Sequence, residues 1–142
     1  MRTLHVGLRV ADLDRSLAFY TAVGYEVVGS VPDTPLGELT MIKLPGDEFV
    51  AIELVHDPAG TDLDTHRGPS HFVIQVESMD ATVAALAARG VDAEVPTSPD
   101  GSDDFCTTWI VDPDGNRIEL VQWPDGHAVG MTASDLEQFC GT

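Results

Sequence analysis

Positive charge is what this chain has least of. Its 142 residues carry Lys+Arg 7 against Asp+Glu 24, a formal net charge of -17, and Lys43 is the single lysine. Nucleic acid and anionic membranes are held chiefly through Lys and Arg contacts to phosphate, so neither is expected as a partner. Cysteine is scarce as well. Cys106 and Cys140 fit no metal spacing and are too few for a disulfide framework, which suits a reducing compartment. Apolar runs are short: none approaches the roughly 20 residues that span a bilayer, and the opening "MRTLHVGLRV" alternates where a leader peptide would run apolar. The expectation is a cytoplasmic protein with one compact core, since the length is too small for two ordinary domains.

What is present is a repeat. The letters Ile-Glu-Leu-Val occur at 52–55 and again at 118–121, so 66 residues separate Glu53 from Glu119, and the same interval separates His5 from His71. At that offset Val10 meets Val76, Asp14 meets Asp80, Gly24 meets Gly90 and Pro58 meets Pro124. Identities in order at one ungapped offset mark an internal duplication. Each half reads as a strand, a helix and three further strands. The helices fall at about 13 to 23 and 79 to 89, with Asp12 and Ser78 as N-caps and Gly24 and Gly90 as stops. "YEVVGSV", "LTMIKL" and "FVAIELV" supply strands in the first half, and "VDAEVP", "CTTWIV" and "NRIELVQ" in the second. "DPDGN" is a tight turn joining the last two as a hairpin.

The polar stretch 56–70 suits a linker. The expected organisation is α+β: two βαβββ modules, about 1–56 and 68–123, in one domain spanning 1–123, followed by a tail at 124–142. In that tail Ser134 and Glu137 form a possible capping box for a short helix.

Strand side chains alternate faces, and parity sorts them. Leu4, Val6, Leu8 and Val10 oppose His5, Gly7 and Arg9, whereas Phe72, Ile74 and Val76 oppose His71, Val73 and Gln75. Ile52 and Leu54 oppose Glu53, as Ile118 and Leu120 oppose Glu119. Each half thus has an apolar face for its helix and a second face with one His and one Glu. A single His on a strand is more often structural than a ligand, and a single Glu can pair with an arginine. Matched pairs in both halves are harder to explain that way, because an unpaired carboxylate removed from water costs several kcal/mol and basic partners are few. A divalent cation satisfies two imidazoles and two carboxylates together, leaving positions for water or substrate. His56, His66 and His127 read as solvated loop residues.

The plan and these four positions resemble the vicinal oxygen chelate superfamily, and within it the glyoxalase I (lactoylglutathione lyase) type. The resemblance covers about residues 1 to 123, through "LHVGLRVADLDRSLAFYTAVGYEVV", "SHFVIQV" and "VDPDGNRIELVQ". It implies a U-shaped mixed sheet around a metal held by His5, Glu53, His71 and Glu119. It also implies an isomerase that moves a proton between adjacent carbons of the hemithioacetal formed by a 2-oxoaldehyde and a low-molecular-weight thiol. Glu119 is the expected base and Glu53 its symmetric partner. A six-coordinate ion such as nickel or cobalt suits four protein ligands plus two substrate oxygens better than tetrahedral zinc, with zinc or iron as alternatives. In glyoxalase I dimers one half of each site comes from the partner, which implies a homodimer.

Substrate contacts are expected from Arg9, which matches a basic family residue, and from Asp57, which stands where glutathione-using relatives have Asn. That substitution and the scarcity of cations point toward a neutral thiol such as mycothiol. Three other readings share the fold: a nonheme iron dioxygenase, an epimerase, and a non-catalytic module that sequesters a cationic drug.

Overall fold

A computed structural model describes residues 5–34, 36–59 and 71–130. The elements in chain order are β1 (Val6–Val10), α1 (Leu13–Val23), β2 (Glu26–Thr34), β3 (Gly37–Lys43), β4 (Ile52–His56), β5 (His71–Gln75), α2 (Met79–Ala88), β6 (Cys106–Val111) and β7 (Arg117–Gln122). They form a mixed α+β fold with two sheets, ordered β1-β4-β3-β2 and β5-β7-β6. In each sheet the first strand of a half pairs in parallel with the last, and the remaining neighbours are antiparallel.

Both helices start and stop where local chemistry dictates. Asp12 and Ser78 are extended N-caps whose side chains accept from the Arg15 and Ala81 amides. Gly24 ends α1 at φ 123°, while α2 closes on Arg89 and turns out through Gly90 at φ 79°. Such φ values favour glycine.

The duplication is imperfect opposite β2. The segment 91–96, expected as a strand, meets β6 at only a few points. Glu94 donates its amide to the Trp109 carbonyl, and Thr97 and Thr107 exchange backbone bonds as an isolated bridge. Three steps on one side, from Glu94 to Thr97, thus face two on the other, from Trp109 to Thr107, and Pro96 between them has no N–H to give. A mismatch of that kind breaks a ladder.

The apolar faces of both sheets enter a single core. Leu8, Val10, Ile42, Ile52 and Leu54 from the first half join Ile74, Ile110, Ile118 and Leu120 from the second, with Tyr20, Met79 and Leu86 from the helices. The faces bearing Glu53 and Glu119 therefore look away from it. The halves are also fastened by polar bonds around the "DPDGN" turn. The Asp112 carboxylate, 4% exposed, accepts from the Tyr20 hydroxyl at 2.7 Å, the Asp114 amide at 2.9 Å, and the Asn116 amide and side chain, both at 2.8 Å. Asp114 accepts in turn from the Ala11 amide and the Ser16 hydroxyl, both at 3.2 Å. What reads in sequence as a hairpin turn is also the clasp on α1.

Two predictions follow from these contacts. Tyr20→Phe leaves a buried carboxylate short of one donor, which should destabilise the protein by about 1–3 kcal/mol in denaturant melts at neutral pH. Burial, reinforced by the Asp112 charge, pushes the Tyr20 hydroxyl far above its usual range, and burial does the same to Tyr25. A folded-state pKa above the unfolded one confers stability that is full below the unfolded tyrosine value, about 10, and falls as pH rises beyond it. Thermal melts across that boundary should show a decline that is shallower in Tyr20→Phe. The second concerns Gly37, which sits at φ 114° where an added Cβ would clash with the His56 carbonyl oxygen. Gly37→Ala should cost at least about 1–3 kcal/mol, whereas Gly46→Ala, with nothing within 4 Å of an added Cβ, should be near neutral by the same measurement.

Candidate metal centre

The parallel pairings bring the predicted residues together two by two. Gly7 lies opposite Glu53 and Val73 opposite Glu119, so the preceding His of each first strand falls beside the Glu of the last. His5 Nε2 is 3.3 Å from Glu53 Oε2, and His71 Nε2 is 3.9 Å from Glu119 Oε2. Two donors sharing one ion at about 2.1 Å stand about 3.0–3.4 Å apart. The first pair already has that spacing and the second is slightly open. By donor chemistry and spacing these residues fit a divalent cation.

The two pairs do not meet each other. Among the described residues, no group of three or more His, Cys, Asp and Glu is placed to hold a metal, as expected for faces turned away from a common core. Both histidine side chains are 40% exposed, against 21% for Glu53 and 24% for Glu119, so each pair is an open half-site on a sheet surface. An open cavity of about 490 Å³ between Phe19, the 90–94 segment and β6 includes Trp109 and Glu94 in its wall but none of the four residues. On the same faces Val31, Val73 and Val111 are exposed, whereas Val55 and Val121 are buried.

Of the expected substrate contacts, Arg9 is on the His5 face, opposite Val55 in the register, and has no ion-pair or hydrogen-bond partner among the described residues. Asp57 follows β4 and accepts from the Ala59 amide at 2.9 Å in a local turn. The other histidines are not simply solvated. His56 closes β4 with its Nδ1 buried, unbonded and 3.7 Å from Glu38 Oε2, which is beyond hydrogen-bond reach. His127 stacks on Trp123 at 4.5 Å. His66, like Ser134, Glu137 and Cys140, lies outside the described residues.

Two neighbours of the second half-site escaped the sequence reading. Trp109 lies opposite Glu119 and Arg117 opposite His71. The signal was available, since Arg117 shares parity with Glu119 and the hairpin about "DPDGN" folds Trp109 across from it.

Over residues 2–120 the chain matches the Glyoxalase/Bleomycin resistance protein/Dioxygenase superfamily. It belongs to that superfamily. A probable lactoylglutathione lyase of Vibrio parahaemolyticus serotype O3:K6 (strain RIMD 2210633) is 32% identical over 124 residues, which are 85% of this chain and 90% of the relative. Among solved structures, a mutant glyoxalase I from Zea mays superimposes with a TM-score of 0.73 at 27% identity, covering 87% of this chain and 45% of the maize chain. The chain therefore spans less than half of that maize protein. An antibiotic binding protein from Streptomyces sp. CB03234 has a TM-score of 0.64 at 23% identity, covering 86% of this chain and 96% of its own, a likeness of fold alone.

Proposed function

We propose that this superfamily member is a metal-dependent isomerase of the glyoxalase I type. It converts the hemithioacetal of a 2-oxoaldehyde and a low-molecular-weight thiol to the 2-hydroxyacyl thioester. The observation that carries the reading is the matched pairing of His5 with Glu53 and His71 with Glu119 at near-ligand distances, supported by relatives named lactoylglutathione lyase. A divalent ion held by the set, nickel or cobalt by preference, supplies Lewis-acid stabilisation of the negative charge that develops on two neighbouring substrate oxygens. The protein's own part is proton movement. Glu119, in the looser of the two pairs, takes the proton from the carbon bonded to sulfur and returns it to the adjacent carbonyl carbon. The hydroxyl proton passes to the new hydroxyl, so thiohemiacetal and ketone become thioester and alcohol with no net gain or loss. Glu53 holds the symmetric position and remains a ligand.

The complete set is shared across a homodimer: His5 and Glu53 of one chain face His71 and Glu119 of the other, at two equivalent sites. The outward half-sites and the exposed valines beside them support this arrangement. It is tested by mixing. His5→Ala and His71→Ala should each lower cobalt affinity by more than the roughly 10- to 100-fold lost with an outer partner, while leaving the melting temperature of the metal-free protein nearly unchanged. Refolded together in equal amounts, they should regain about a quarter of wild-type sites, because half the dimers are mixed and each mixed dimer keeps one intact site. No regain would place all four ligands in one chain.

The thiol is set by charge. Lys43 donates to the Asp47 carbonyl at 3.2 Å and Arg117 pairs with Glu94 at 3.2 Å. Arg9 is left as the free cation of the described residues on the outward faces, under a net charge of -17. Glutathione brings two carboxylates to that field, whereas a sugar-based neutral thiol brings hydroxyls that Asp57 can accept. With the same metal loaded, kcat/KM should be at least about tenfold higher for the neutral adduct, a difference of about 1.4 kcal/mol in transition-state stabilisation. A higher value for glutathione would overturn the thiol assignment, and turnover of neither adduct would overturn the isomerase.

A further inference from the structure

The duplicated halves diverge around their histidines. Opposite Glu53 on the neighbouring antiparallel strand is Met41, a flexible side chain, while opposite Glu119 is Trp109. At the place of Arg117, 66 residues earlier, the first half has Ala51. These differences form one connected assembly. The Trp109 and His71 rings meet edge-on, with centroids 5.2 Å apart and planes at 77°. The Arg117 guanidinium carbon lies 4.2 Å over the indole centroid. Arg117 Nη2 donates to Glu94 Oε1 at 3.2 Å. Glu94 is itself pinned to β6, donating its amide to the Trp109 carbonyl at 2.9 Å and accepting from the Thr108 hydroxyl at 2.6 Å.

An imidazole that is 40% exposed on a sheet surface has side-chain freedom to lose when it takes up a metal, and a ligand held beforehand in its bound orientation loses less. An edge-on aromatic contact restrains the ring plane, and a cation over the indole face restrains the indole in turn. The Arg117–Glu94 pair is too exposed to add much stability, at 48% and 59%. Its effect is to fix where the guanidinium lies.

We infer that Trp109, steadied by Arg117 and Glu94, is a positioning residue that holds the His71 imidazole in its metal-ligating orientation, a restraint that Met41 and Ala51 do not provide for His5. The inference rests on the metal reading above and is tested by cobalt titration calorimetry and the visible absorption of the cobalt-loaded dimer. Trp109→Leu should weaken cobalt binding about tenfold and shift the absorption bands, in the range found for outer partners of metal ligands. Trp109→Phe, which keeps an aromatic edge, should stay within about threefold of wild type, and Met41→Leu should change nothing.

Arg117→Gln separates positioning from charge. Removing a cation beside the site would by itself raise affinity for a divalent ion, whereas loss of positioning lowers it, and a drop of about threefold or more is expected. Trp109→Leu binding cobalt as tightly as wild type, or Trp109→Phe binding as weakly as Trp109→Leu, would overturn the inference. Should Trp109→Leu fail to fold, unchanged or increased affinity in Arg117→Gln overturns it alone. Wild-type protein that binds no cobalt would remove the metal reading itself, which is a different result from a wild type that binds and variants that match it.

Discussion

A buried carboxylate joins the two halves of this molecule, and the outward placement of its half-sites goes with that junction. Asp112 is inside the protein with two donors on each oxygen, and one of the four, the Tyr20 hydroxyl, comes from the first-half helix. A desolvated charge is tolerable only when its lone pairs are filled, so parting the turn from the helix leaves the buried carboxylate short of a donor. Asp114 reinforces the docking through Ala11 and Ser16, and Arg89 adds a bond to the Ala22 carbonyl at 3.2 Å. With α1 tied to the second-half hairpin, the apolar faces of both sheets close on one core. The imidazoles and glutamates stand on the opposite faces, outside that core and partly exposed.

Much of this was legible from residue spacing. The offset of 66 carries over to the structure for β1 with β5, α1 with α2 and β4 with β7, because a strand's face is set by parity and parity survives duplication. It breaks between β3 and β6, where Met41 opposite Glu53 and Trp109 opposite Glu119 stand 68 apart. The loop between β6 and β7 is shorter than that between β3 and β4, and an ungapped comparison cannot see a two-residue deletion. The strand expected at 91–96 shows a second limit. Its composition suits a strand, yet pairing depends on the register available along β6, which is a property of both segments. The Asp112 clasp was hidden for a related reason. "DPDGN" announces a turn by its own chemistry, but nothing local to it reveals that a tyrosine 92 residues away supplies the fourth hydrogen bond.

Scarcity of positive charge shapes the outward faces as much as the abundance of acid does. Each Glu of a half-site has a histidine within 4 Å and no arginine or lysine ion pair among the described residues. The carboxylates remain a fifth to a quarter exposed, so water pays part of their solvation and the open half-sites are affordable to the fold. A guanidinium locked onto each Glu would have stabilised the surface while competing with any divalent ion for the same oxygens. Arg117 is on the same strand face as Glu119, but it is engaged with Glu94 and its guanidinium carbon lies over the Trp109 ring.

That engagement gives the irregular segment around Glu94 a role that a regular strand would not fill so readily. In an unbroken ladder, side chains of the edge strand alternate strictly, and their direction follows from register alone. Here the three-against-two mismatch between Glu94–Thr97 and Thr107–Trp109 releases the alternation just where Glu94 reaches Arg117. The first half keeps a nine-residue strand at the corresponding edge and has neither the tryptophan nor the arginine. The two His–Glu pairs thus share the same donors but differ in their surroundings: the edge segment and residues 109 and 117 place an aromatic edge beside the His71 imidazole, and among the described residues no such ring contact is made by His5. In a site assembled from two surfaces, as proposed for the homodimer, an imidazole held on one side would fix the geometry while the ligand opposite takes up the error of docking.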